Sequence, residues 1–230
     1  MVVNIPIVTL DKIYIVPDET NIYFLDCTRV EGSNKIISRS KELLDEQIIR
    51  IANSIKGKQI ILADDVVFSG TVLAEIIRKF RNLGITVIGI IASICTEKSY
   101  DYFNNNIKYG IKTNYLMNSD VIDQICERDF YFGIAGSGIM TETTKGYLKA
   151  PYFKPYGDPF ERASIPKEYE KSFSKGCLSR SIFLWEEIDK LRKGKTLMNE
   201  LPERIIKTDE NEEVVKTLKK EQDKIWKNYK

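Results

Sequence analysis

Apolar residues recur along this chain in two rhythms. Nearly unbroken apolar runs occur at Asn21–Asp26, Gln59–Ala63 and Ile85–Ile94, and Ile111–Met117 is a plausible further strand. Runs of that length predict strands, and the longest of them suits a parallel strand covered on both faces. Between them the spacing changes to that of a helix. Leu44, Ile48, Ile51, Ala52 and Ile55 mark one apolar stripe, predicting a helix from about Lys41 to Ile55 with Ser40 as N-cap and Gly57 as its stop. Val72, Leu73, Ile76, Ile77 and Phe80 mark a second, and residues 97–106 suggest a shorter helix ending in Asn104-Asn105-Asn106. Strands alternating with helices predict an α/β fold built on a doubly wound, mainly parallel sheet. Ile5–Val8 and Ile13–Val16 read as short strands or an edge hairpin, and Ser119-Asp120 can cap a helix through Cys126.

Beyond about residue 128 the alternation fades. Gly133, Gly136 and Gly138 make a glycine-rich loop that is neither a Walker A loop nor a G-x-S-x-G elbow, and it serves packing or a ligand equally well. The prolines between Ala150 and Phe160 preclude regular helix through that run, and its rings Tyr152, Phe153 and Tyr156 either form a flat slot or plug a small domain. An amphipathic helix follows from Phe183 to Leu191. Pro202 marks a linker, and Asp209 with Glu212 opens a helix through Tyr229, whose stripe is Val214, Leu218, Ile225 and Tyr229. That stripe suits docking onto the body of the chain or onto a second copy in a homodimer.

Composition removes several classes of chemistry. There is no histidine among the 230 residues, which excludes Ser-His-Asp and Cys-His hydrolysis and most zinc catalysis. Cys27, Cys95, Cys126 and Cys177 are widely separated, so neither a zinc knuckle nor a redox dithiol is indicated. A net charge of +2 gives no sign of nucleic-acid binding. No apolar run approaches the ~20 residues of a membrane span, and Met1–Pro6 lacks the features of a signal peptide. A cytoplasmic location is the expectation.

The stretch with chemical content is Gln59–Val72. A buried strand runs into two carboxylates, Asp64 and Asp65, and then a Ser69-Gly70-Thr71 turn that opens a helix. Glycine allows an anion to approach the backbone closely, and the free N–H groups at a helix start favour phosphate. Two carboxylates at the carboxyl end of a parallel strand can hold ribose hydroxyls or a magnesium shell. In this order of parts the segment resembles the phosphoribosyl-pyrophosphate (PRPP) motif of the type I phosphoribosyltransferases.

The resemblance covers about residues 20–95 and implies a magnesium-dependent glycosyltransferase. The enzyme would move 5-phosphoribosyl from PRPP to a nitrogen nucleophile and release pyrophosphate. Asp64 and Asp65 would meet the ribose 2- and 3-hydroxyls and, directly or through water, Mg2+. The run Val66-Val67-Phe68-Ser69-Gly70-Thr71-Val72 would cradle the 5-phosphate. The loop Cys27-Thr28-Arg29 stands where the family binds pyrophosphate, with Arg29, Lys35 and Arg39 available for the leaving group. By the same resemblance residues 1–128 are the core, 129–200 a hood or substrate-selecting segment carrying Tyr152, Phe153 and Tyr156 for the base, and 201–230 a C-terminal helical extension. Three departures stand out. Phe68 replaces the acidic residue usual in members acting on 6-oxopurines, and Val72 replaces a second threonine. The interval before the motif has room for one helix and not for the family's mobile hairpin. A PRPP- or nucleotide-binding regulatory protein is the alternative.

Overall fold

The computed structural model describes residues 5–11, 21–55, 57–118, 130–134, 139–163, 165–202, 205–207 and 210–227. The readings made above for Ile13–Val16, the helix from Ser119 to Cys126, and the ends of the last helix at Asp209 and Tyr229 fall outside them. The chain divides into two compact units: Met1–Arg29 with Asn34–Ile122, and Val30–Ser33 with Asp123–Lys230. Among the described residues no helix is long and apolar enough to cross a membrane.

The first unit is α/β. In chain order it comprises β1 (Ile7–Thr9), β2 (Ile22–Phe24), β3 (Thr28–Arg29), β4 (Ile36–Ile37), α1 (Leu44–Ser54), β5 (Gln59–Val67), α2 (Thr71–Asn82), β6 (Thr86–Thr96), α3 (Glu97–Asn106) and β7 (Ile111–Met117). Five strands form one sheet in the order β2-β1-β5-β6-β7, and every pairing is parallel. Val87, Ile88 and Ile90 of β6 are all buried. Successive side chains of a strand point to opposite faces, so both faces are covered there. The helices that flank the sheet supply Leu44, Ile48 and Ile51 from α1, Leu73, Ile76 and Phe80 from α2, and Phe103 from α3 to one continuous core. A five-stranded parallel sheet flanked by helices is compatible with double winding.

Of the two readings for Ile5–Val8 the short strand holds and the edge hairpin does not, because Ile7–Thr9 lies between β2 and β5, hydrogen-bonded in parallel to both. Two expectations need correction. Helix α1 starts at Leu44, with Leu43 and not Ser40 at the N-cap; the Leu43 N–H donates to the Glu46 carboxylate (3.0 Å), while Ser40 bonds Ser38. The interval before β5 also holds more than a helix, because β3 and β4 pair antiparallel as a short hairpin (Thr28 opposite Ile37, Arg29 opposite Ile36).

The second unit consists of the hairpin β8 (Ile139–Thr143) and β9 (Gly146–Ala150), the short helix α4 (Pro159–Ala163), the long helix α5 (Glu170–Arg192) and α6 (Val214–Lys227). Helix α4 begins on a proline behind Asp158, whose carboxylate accepts from the Phe160 N–H (2.9 Å), a favourable helix start. The helix expected from Phe183 begins already at Glu170. Its buried face carries Ser174, Cys177 and Ser181, too small and polar to make an apolar stripe. Ser174 and Ser181 accept hydrogen bonds from the N–H groups of Lys154 (3.1 Å) and Phe132 (3.0 Å), so loops are tied to this helix through its hydroxyls. Val214, Leu218 and Ile225 of α6 share a core with Leu178, Ile182 and Trp185 of α5, and Lys219 pairs with Glu186 across them (2.7 Å). The C-terminal helix therefore belongs to the same packed body as residues 130–200.

Candidate functional site

The sheet order fixes where a ligand would sit. Strand β1 has β2 on one side and β5 on the other, so the order of strands reverses between β1 and β5. In open α/β sheets ligands bind outside the carboxyl ends of the strands at such a switch point. The last β1–β5 pair is Thr9 with Ala63, and the Leu10 N–H donates to the Ala63 carbonyl (2.8 Å). Asp64 and Asp65 come directly afterwards. They belong to a strand that runs on to Val67, beyond the predicted end at Ala63, because β6 pairs with it through Val67 opposite Cys95.

Asp64 and Asp65 are half-buried. The Asp65 N–H donates to Asp64 Oδ1 (3.1 Å) and the Val66 N–H to Asp65 Oδ1 (2.7 Å). Among the described residues no lysine or arginine forms an ion pair with either carboxylate. Burial pushes the Asp64 carboxyl well above the ordinary carboxylate range, and its charged neighbours Asp65 and Asp11 push it further. Asp65 is raised as well, first by burial and then by Asp11. Asp11, at the carboxyl end of β1, is a member of this acidic group that the sequence reading missed. Its signal was its place two residues after a strand.

The turn that follows is held from below. Gly70 has φ 70° and ψ 1°, a left-handed conformation. A Cβ there would stand 2.8 Å from a ring carbon of Phe103, which lies fully buried on α3. The Phe68 carbonyl accepts from Thr96 Oγ1 (2.7 Å) and from Ser99 Oγ. Thr96 and Ser99, at the start of α3, thus fix a turn distant in sequence, and nothing local announced them. Above the turn, Ser69 Oγ and Thr71 Oγ1 are 3.0 Å apart, and Ser69 is exposed. The first turn of α2 has no acidic residue and no side-chain cap at Gly70, and among the described residues only the Thr71 N–H meets a side chain there, Ser69 Oγ at 3.4 Å. Donor groups at a helix start left in this way are suited to an anion.

No family model, no curated protein and no solved structure matches the chain. The residues therefore stand on their own geometry.

The remaining predicted residues divide into three groups. Thr28 and Arg29 form β3, both half-buried, and Arg39 lies just past β4. Arg39 Nε contacts Asp26 Oδ1 at 2.8 Å, so an incoming anion would compete with a carboxylate for it. Lys35 is exposed at the hairpin. Cys27 is buried and its thiol is pushed up to about 12 by burial and by the neighbouring Asp64 carboxylate, leaving only its backbone to serve a ligand. Tyr152, Phe153 and Tyr156 do not line an open slot. All three are buried in the core of the second unit, where Phe153 meets Tyr156 edge to face (6.0 Å between centroids). Among the described residues, that unit has an open groove of about 680 Å³ lined by Tyr131, Ile134, Phe183 and Leu184, with Arg180 and Glu187 beside them.

The donors present bear on magnesium. Among the described residues no cluster of three or more His, Cys, Asp or Glu is arranged to hold a metal. Two adjacent carboxylates whose burial raises their proton affinity nonetheless match a hard dication that takes most of its remaining ligands from water or a phosphate. The fit is to a metal arriving with its ligand.

Proposed function

We propose that the first unit is a type I phosphoribosyltransferase-like domain that binds Mg-PRPP and transfers its phosphoribosyl group to a nitrogen nucleophile. The observation that carries this reading is the succession at the end of β5: two carboxylates without a cationic partner among the described residues, at the switch point of a parallel sheet, then a glycine turn opening α2. Asp64 and Asp65 orient the ribose hydroxyls, and Ser69, Thr71 and the first-turn N–H groups of α2 bind the 5-phosphate. Arg29 and Arg39 face the pyrophosphate charge that develops as its bond to the anomeric carbon breaks. The electron pair of that bond leaves with pyrophosphate, the acceptor nitrogen forms the new bond, and its proton passes to solvent or to a carboxylate. Mg2+, when bound with PRPP, neutralises charge on the departing group; Asp64 and Asp65 are the residues that would hold it. The absence of histidine is no obstacle, since the leaving group is already activated.

A second reading, a PRPP-binding regulator with little catalysis, is favoured by the burial of Tyr152, Phe153 and Tyr156. Without those rings the described residues offer a place for the donor and none assigned to the acceptor.

Calorimetric titration of Mg-PRPP tests both. Wild type should bind, and Ser69→Ala or Thr71→Ala should each weaken binding by ~1.5–3 kcal/mol, the value of a hydrogen bond to a charged group, or roughly one to two decades in Kd. Absence of binding by wild type would end both readings. Binding followed by pyrophosphate release in a screen of nitrogen acceptors separates the enzyme from the regulator.

A further inference from the structure

We infer that Gln47 is the positioning residue of the β3–β4 hairpin, acting on Arg39 through Asp26 and Ser38 without touching the ligand; this rests on the PRPP reading above. Gln47 lies on α1 and is 2% exposed, unusual for a glutamine. A helix needs nothing polar at that position, which falls on the same face as Leu44, Ile48 and Ile51. The side chain instead makes contacts at both ends of the hairpin. Its Oε1 accepts from the Asp26 N–H (2.9 Å) and its Nε2 donates to the Asp26 carbonyl (3.3 Å), so it pairs with one backbone residue as a neighbouring strand would. The same Nε2 lies within reach of Ser38 Oγ (2.9 Å) and the Glu42 carbonyl (3.2 Å).

These contacts fix the two places where the hairpin joins the body. Asp26 precedes β3, and its carboxylate holds Arg39 Nε. Ser38 follows β4, and its Oγ accepts from the Ser40 N–H (2.9 Å). One amide thus sets the position of Asp26, and through it Arg39, while also setting the Ser38–Ser40 turn on which Arg39 sits. The β5–α2 turn makes no contact with Gln47 and has its own support from Thr96, Ser99 and Phe103. The two segments therefore have separate supports, Thr96, Ser99 and Phe103 beneath the β5–α2 turn and Gln47 beneath the hairpin, and on the PRPP reading the first holds the ribose 5-phosphate and the second the pyrophosphate.

The test uses the two halves of PRPP as separate probes, ribose 5-phosphate and inorganic pyrophosphate, each titrated with Mg2+ into the full chain. Gln47→Met keeps length and helix propensity and removes every polar contact. It should weaken pyrophosphate binding tenfold or more and leave ribose 5-phosphate affinity within about twofold. Ser38→Ala, which removes a single partner, should shift pyrophosphate affinity in the same direction by less, and it decides the matter if Gln47→Met does not fold. Parallel loss of both affinities, or loss of neither, overturns the positioning role. Failure of wild type to bind either probe overturns the PRPP reading itself, a result distinct from either variant outcome.

Discussion

Asp64→Asn should lower Mg-PRPP affinity and at the same time make the unliganded protein more stable above about pH 6. Asp65→Asn should do the same to a smaller extent in stability. The binding loss follows from removing a charged acceptor at the switch point: about 1.5–3 kcal/mol for each variant, and more than one decade in Kd. The two carboxylates are neighbours in one network, so the double variant is not expected to show the sum of the single losses. Calorimetry measures this directly, and retention of wild-type affinity by both single variants would remove Asp64 and Asp65 from the site.

The stability gain has a definite sign. A carboxyl whose folded pKa lies above its unfolded value binds a proton in the folded chain that the unfolded chain has released. Its contribution is fully present below the unfolded value near 4 and is lost as pH rises through the folded one. For Asp64 that window runs from about pH 4 to about 8. Across it the unliganded wild type should lose stability with rising pH, through burial of the carboxylate and the charges of Asp65 and Asp11. The amide introduced by Asp64→Asn carries no such charge and keeps an oxygen for the Asp65 N–H, so the variant's stability should be flatter with pH. A difference of at least about 1 kcal/mol near pH 8 is expected, since each tenfold in proton affinity is worth about 1.4 kcal/mol. Urea unfolding at pH 5 and pH 8 measures it. Saturating Mg-PRPP should reverse the ranking, because a ligand that binds only the folded state stabilises it by mass action. A carboxylate pair that destabilises the free protein and is relieved by its ligand is what a binding site, and not a structural ion pair, leads one to expect.

Much of this architecture was legible because burial leaves a mark on the sequence. The runs that became β5 and β6 and the stripe of α2 are apolar because the fold buries them, and α3 ends at Asn106 as predicted. What stayed hidden has specific causes. Three residues of β1 carry no sign of which strands they will join, and parallel partners are set by crossovers far along the chain. The hairpin β3–β4 has two residues per strand, too few for a period. The first half of α5 buries serines and a cysteine, so its helical spacing is written in residues that read as polar. In the hairpin β8–β9 the positive φ (98°) falls on Gly146 behind Thr144-Lys145, not on one of the usual Asn-Gly or Asp-Gly turns. For the site, Asp64, Asp65, Ser69 and Thr71 were readable as local chemistry. Gln47, Thr96 and Ser99 were not, since each acts on backbone brought to it by the fold. Gln47 left one trace: an amide on the apolar face of a helix.

Gly70 is where the fold and the proposed function depend on the same atom. Gly70→Ala should destabilise the protein by about 2–5 kcal/mol, from two sources. A residue with a side chain at φ 70° costs roughly 1–2 kcal/mol. Its Cβ, 2.8 Å from the Phe103 ring, adds an overpacking cost of about 1–3 kcal/mol, because Phe103 is fully buried and has little room to yield. Gly70→Val should be worse, being branched at Cβ in the left-handed region. Chemical denaturation of Gly70→Ala, Phe103→Leu and the double variant separates the sources. The smaller side chain should recover the packing part, giving a favourable coupling of about 1 kcal/mol or more, while the backbone part remains. Full stability in Gly70→Ala would mean that the turn does not need a left-handed residue and that α3 does not close beneath it. The same geometry dictates how ligand data must be read. A Gly70 variant that fails to bind PRPP has lost the turn along with any contact, whereas Ser69→Ala removes only a hydroxyl from its open side and Thr71→Ala a hydroxyl and a methyl. Loss of affinity in the latter pair, with stability intact, is therefore the result that ties phosphate binding to the turn.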